Sequence, residues 1–134
     1  MPVLAWAVPL AAMAAGDRVE LGEGPVRVPL ELTSEPGTRI HLVIDGIRAE
    51  LAPGVLYGMS LERGQARAPI GYLNFFGAET TPQAVSIDVT EAVAALARGA
   101  GRHSGFALVI APVGNPAPNA GTTIGHASLV ADIP

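Results

Sequence analysis

Apolar and polar positions alternate in short runs along most of the chain. Val26, Val28, Leu30 and Leu32 alternate with Arg27, Pro29 and Glu31, the period of a strand with one buried face. Pro29 has no N–H to donate, which places this strand at a sheet edge. Residues 38–44 (TRIHLVI) form the clearest strand, with Ile40, Leu42 and Ile44 on one face, and the Asp45-Gly46 dipeptide after it reads as a hairpin turn. Residues 55–61 (VLYGMSL) and 70–76 (IGYLNFF) read as further strands, and the polar run 62–69 between them as the most mobile loop. Residues 106–111 (FALVIA) are a continuous apolar strand, residues 122–130 (TTIGHASLV) a closing one, and residues 18–21 a short one. Gly22-Glu23-Gly24-Pro25, Ser34-Glu35-Pro36-Gly37 and Pro53-Gly54 mark turns, and residues 77–83 and 112–121 mark loops.

One stretch changes period. Val85, Ile87 and Val89 alternate with Ser86 and Asp88 as in a strand. From Thr90 the residues are mostly Ala, Leu, Glu and Arg, good helix formers. Val89, Val93 and Leu96 share one helical face and should plug one end of a strand-built core. Asp88 suits a helix cap, with Glu91 three residues later as in a capping box. Arg98 complements the dipole in the last turn and Gly99 can close the helix. The pattern predicts one short α-helix near residues 89–98 among seven or eight strands. That is an all-β class, an antiparallel β-sandwich with a jelly-roll-like strand spacing.

Composition supports one domain and narrows its partners. A chain of 134 residues can bury a core without staples. Its 16 Gly and 12 Pro suit strands and turns better than a helical bundle. Hydrophobic residues make up 49% and charged residues 15%, which points to an apolar surface that a partner covers. The formal net charge is −4, and the eight cationic residues, all Arg, are scattered, so a nucleic-acid interface is not indicated. The chain has no cysteine, hence no disulfide framework and no thiolate ligand. Residues 1–17 are a separate apolar segment before a sandwich domain over residues 18–134. Residues 1–16 (MPVLAWAVPLAAMAAG) resemble a secretory signal without a basic start, which would send the protein out of the cytoplasm. The other reading is a linker or first strand, and the segment is too short for a membrane span.

Candidate chemistry is sparse. His41, His103 and His126 lack metal-ligand spacing, although His41 and His126 both fall in strands that can meet. Asp45, Glu62, Glu79 and Asp88 form no local acid–base pair, and no Gly-x-Ser-x-Gly elbow surrounds any serine. The aromatic residues stand out instead. Tyr72, Phe75 and Phe76 occur within five residues, with Tyr72 and Phe76 on one strand face and Phe75 on the other. One face belongs to a core. The other presents a contact surface or ligand platform, unless both are buried.

Several motifs follow one another in a familiar order: Ile44-Asp45-Gly46-Ile47, residues 55–61, residues 70–76, Ile87-Asp88-Val89-Thr90-Glu91 with Leu96, Leu108-Val109-Ile110-Ala111-Pro112, and Thr123-Ile124-Gly125-His126-Ala127. Together, over residues 18–130, they resemble the C-terminal domain of polyphenol oxidases, the plant catechol oxidases and their bacterial tyrosinase relatives. The chain departs from the plant pattern in lacking its "KFDV" signature, where Val55-Leu56-Tyr57-Gly58 stands, and its Lys-rich insertions. The resemblance implies a β-sandwich that packs on a dicopper catalytic domain, in the same polypeptide or a separate chain, and shields its entrance. The family's two copper ions take three histidines each, and this chain has three in total. The resemblance therefore implies a non-catalytic accessory domain with no catalytic residue and no cofactor of its own, the two copper ions belonging to the associated domain. An aromatic side chain shaped like a phenol is the natural plug, and Tyr57, Tyr72, Phe75 and Phe76 are the candidates for docking or plugging. Asp88 and Glu91 are read as helix-cap residues rather than an acid–base pair. Two other readings stand beside this one. The first is a secreted β-sandwich that binds carbohydrate or protein through aromatics along a groove. The second is a small metal-dependent enzyme using His41 and His126.

Overall fold

The computed structural model describes residues 18–31, 39–99 and 105–132. The apolar segment 1–16, the turn at residues 34–37 and His103 lie outside the described residues. The chain order is β1 (Val19–Glu20), β2 (Val26–Leu30), β3 (Arg39–Ile47), β4 (Tyr57–Arg63), β5 (Ala66–Leu73), β6 (Gln83–Asp88), α1 (Thr90–Gly99), β7 (Phe106–Pro112), β8 (Thr123–Ile124) and β9 (His126–Asp132). Every pairing is antiparallel. A four-stranded sheet ordered β2-β7-β4-β5 faces a three-stranded sheet ordered β6-β3-β9, and β1 with β8 makes a two-stranded ribbon. The fold is an all-β antiparallel sandwich. Nine strands among the described residues, two of them only two residues long, replace the expected seven or eight.

The alternating pattern becomes the core through the register. Val28, Leu108 and Leu61 lie opposite one another across β2, β7 and β4. Leu42 pairs with Ile87 on one side and Leu129 on the other. These inward rows bury Leu42, Ile44, Leu61, Leu108 and Ile110 completely. Pro29 sits on β2, which is an edge strand, as its missing N–H requires. The helix closes one end. Val89, Val93 and Leu96 are buried there, and α1 packs on β3, β4 and β5, spanning both sheets.

Four local readings change. Asp45-Gly46 is not a hairpin turn but a bulge inside β3. Gly46 has φ +64°, and the pairing slips between Ile44 and Ile47. The extra residue lets both isoleucines point inward although they are three apart, which an unbroken strand forbids. A facing Gly125 ends β8 and separates it from β9, with its N–H bonded to the Asp45 carbonyl at 2.9 Å. Residues 62–69 are not a loop. Arg63 pairs with Ala66 around a two-residue Gly64-Gln65 turn. The turn takes positive φ at Gly64 and not at Gln65, the type II′ pattern that matches strand twist. The run reads as polar because Glu62 and Arg67 face outward as a cross-strand ion pair. The strand expected to reach residue 76 ends at Leu73.

The fourth change concerns the helix start. Asp88 Oδ1 accepts the Thr90 N–H at 3.0 Å and the Thr90 hydroxyl at 2.7 Å. The Val93 N–H reaches the Val89 carbonyl at 2.9 Å, so Val89 is the N-cap and Asp88 the residue before it. The return bond of a capping box needs the Val89 N–H, but that group donates to the Ile40 carbonyl at 2.9 Å. Glu91 is therefore an exposed first-turn carboxylate that complements the dipole, not a capping-box partner. Among the described residues no helix is long and apolar enough to cross a membrane.

Candidate docking surface

The four candidate aromatics divide into a buried pair and an exposed pair. Tyr57 and Phe75 are each 1% exposed, whereas Tyr72 is 66% and Phe76 88% exposed. Tyr57 and Phe75, expected as docking or plug residues, are instead core residues with almost no surface to offer a partner. Their rings meet edge to face with centroids 5.2 Å apart. Thr122 Oγ1 lies 2.9 Å from the Leu21 carbonyl and 3.2 Å from the Tyr57 hydroxyl. A threonine hydroxyl has one proton, and the carbonyl can only accept. The Tyr57 hydroxyl is therefore the donor to Thr122. This satisfies both buried hydroxyls and ties β4 to the ribbon.

Phe76 lies just past the end of β5. The Asn74 side-chain oxygen accepts the Phe76 N–H at 2.9 Å, and the Ala78 N–H bonds the Phe75 carbonyl at 3.0 Å. Gly77 at φ +83° then reverses the chain, a conformation that a residue with a Cβ avoids. Phe76 and the exposed Leu56 line one shallow hollow of about 270 Å³ with Pro53, Val55 and Phe75. Leu56 is joined to the exposed Val113 by a 2.8 Å backbone bond. Val113 and Tyr72 flank Gly58, close enough that a side chain there would touch both. Phe76, Leu56, Val113 and Tyr72 thus make a continuous apolar surface. It lies at the end of the sandwich opposite α1 and runs onto the outer face of the four-stranded sheet. Along that face the outward positions of the central strands are Gly58, Ser60 and Glu62 on β4 and Ala107, Val109 and Ala111 on β7, with Glu62 the one charged group among them. Leu56 and Val113 were not singled out by the sequence pattern. Their signal was weak, one apolar residue each beside strand ends in Pro- and Gly-rich segments.

Charged groups hold the surroundings. Glu62 accepts from Arg27 Nε at 2.7 Å and from Arg67 at 2.8 Å. These bonds, Arg67's foremost, hold the Glu62 carboxyl below the usual range. Asp88 is also held low, chiefly by the Thr90 backbone N–H and hydroxyl, with Arg39 and His41 adding positive charge. Through the same bonds the Asp88 carboxylate anchors the residues that start α1.

Other candidate chemistry is dispersed. His126 pairs with Asp45 and His41 with Val130, four positions along the same ladder, or roughly 13 Å apart at strand rise. Among the described residues no group of three or more His, Asp or Glu is placed to hold a metal ion. One cleft of about 670 Å³ is polar and lined by Arg18, Glu20, Arg48, Glu79, Thr80 and Thr123 among others. Its described lining includes no aromatic ring. No protein-family model and no curated protein matches the chain, so the likeness to polyphenol oxidase C-terminal domains rests on the motifs in the sequence.

Proposed function

We propose that this domain is a non-catalytic accessory domain that packs on a tyrosinase- or catechol-oxidase-type dicopper catalytic domain and shields its entrance. The observation that carries the reading is Phe76. A phenyl ring 88% exposed at a loop tip, beside Leu56, Val113 and Tyr72, has the shape of the phenolic substrate and an apolar surface around it to dock. Tyr72 lies on the flat sheet face and serves as a contact around the inserted ring. The two copper ions belong to the partner. This chain's three histidines do not supply the six ligands, and the two in described strands stand apart. Its part is to occupy the entrance and exclude substrate, with the apolar surface lost from water as the driving force.

The reading is tested by titrating a tyrosinase-type dicopper catalytic domain with the purified chain while following catechol oxidation. Saturable inhibition is expected. Burying a phenyl side chain contributes about 1.5–3 kcal/mol, so Phe76→Ala should weaken inhibition by roughly 10- to 150-fold. A chain that neither binds the catalytic domain nor slows oxidation refutes the proposal. A carbohydrate-binding module would place rings along its groove. Here the 670 Å³ cleft is polar and the exposed rings Tyr72 and Phe76 stand outside it, which favours docking.

A further inference from the structure

We infer that Asn74 is a positioning residue that sets Phe76 in its docking geometry before any partner arrives, an inference that rests on the docking role proposed above. A side chain 88% exposed has few contacts of its own to fix it. Its direction must come from the backbone. Two constraints act on that backbone. On the core side, Phe75 is locked at 1% exposure by the edge-to-face contact with Tyr57, whose hydroxyl is bonded to Thr122. The buried Ala78 returns an N–H to the Phe75 carbonyl. On the solvent side, the Asn74 carboxamide oxygen captures the Phe76 N–H itself at 2.9 Å. Between these bonds the loop is closed on both flanks of the displayed ring.

The two constraints differ in what else they do. Phe75, Tyr57 and Thr122 also hold the core, so changing them confounds display with stability. Asn74 is exposed, and its side-chain oxygen accepts the Phe76 N–H. Removing its oxygen frees the loop and leaves the core intact. A loop that must be ordered on docking binds more weakly than one already set. For a single loop side chain and its backbone the loss is about three- to tenfold in affinity.

The experiment compares the wild-type chain with Asn74→Ala, Asn74→Asp and Phe76→Ala. Affinity for the dicopper domain, hydrogen exchange of the Phe76 amide in the free chain and thermal midpoint are each measured. Asn74→Ala should speed exchange at Phe76 and weaken binding three- to tenfold with an unchanged midpoint. Asn74→Asp, which keeps the acceptor, should restore both. If Phe76→Ala weakens binding but Asn74→Ala does not, the positioning role is wrong and the docking role stands. If Phe76→Ala leaves binding unchanged, the docking role fails and takes the positioning role with it.

Discussion

Gly46→Ala is a sharp test of how the two halves of the sandwich edge meet. Gly46 has φ +64°, and a Cβ built there would lie 2.8 Å from the Cα of Gly125 and 2.9 Å from its nitrogen. Both neighbours are backbone, so nothing can rotate away. An alanine in the left-handed region costs about 1–2 kcal/mol by itself. Relieving the contact means separating β3 from the β8–β9 junction by most of an ångström. That strains the 2.9 Å bond from the Gly125 N–H to the Asp45 carbonyl, worth about 1 kcal/mol net. Overpacking adds about 1–3 kcal/mol. The expected loss is therefore about 3–6 kcal/mol. Gly54 is the control. Its φ is +78°, and a Cβ there meets nothing within 4 Å, so Gly54→Ala carries only the conformational cost of about 1–2 kcal/mol. Gly125→Ala separates the other contribution, because its φ is not positive while its Cβ would lie 3.2 Å from Gly46 Cα. Urea denaturation at constant m-value measures all three. Equal losses for Gly46→Ala and Gly54→Ala would show that the close approach carries no energy, and the bulge would then be an ordinary left-handed turn. Should Gly46→Ala fail to accumulate as folded protein, Gly125→Ala still carries the comparison.

The other predictions concern the aromatics and the carboxylates. Phe75→Ala should destabilise by about 3–5 kcal/mol in denaturation, as loss of a buried ring does. Phe76→Ala should stay within about 0.5 kcal/mol, as an exposed site does. Tyr57→Phe removes only the donor to Thr122 and should cost about 1 kcal/mol. Thr122→Val strands the Leu21 carbonyl as well and should cost about 1–3 kcal/mol. The folded chain holds the Glu62 carboxyl below its ordinary value of 4.5. The stabilisation from its two arginines is thus present above that value and fades as pH falls through and below it. Stability measured against pH should lose part of its acid dependence in Glu62→Gln. An unaltered acid limb in that variant counts against the Arg27–Glu62–Arg67 arrangement.

Local rules decided much of the architecture. Residues whose neighbours alternate in polarity became strands, because a pleated chain sends successive side chains to opposite faces. The switch to a helix after Asp88 was legible for the same kind of reason: the apolar spacing changed from two to three and four. Pro29 marked an edge because a missing N–H is a local fact. The capping box failed because a distant carbonyl, that of Ile40, took the N–H it needed. The 62–69 run misled because its polarity came from a cross-strand ion pair, and the pairing partner is invisible along the chain.

The site divides along the same line. The alternation of residues 70–76 predicted Tyr72 and Phe76 on the side away from Phe75. Tyr72 and Phe76 are the exposed pair, although β5 ends at Leu73 and the turn after it sets Phe76. The alternation did not show which side would be covered. That depended on Tyr57, eighteen residues back, whose ring meets Phe75 and whose hydroxyl is held by Thr122, far ahead in the chain. The joining of Phe76, Leu56, Val113 and Tyr72 into one surface was likewise decided by strand pairing across β5, β4 and β7. By itself the sequence determined most of the segments that pleat, that one helix follows Asp88 and which proline keeps to an edge, because each depends on a few adjacent residues. Only the tertiary structure decided that Asp45-Gly46 bulges rather than turns and which aromatic rings stay in water. Both outcomes depend on what lies opposite in space: Gly125 for the first, the Tyr57 ring for the second.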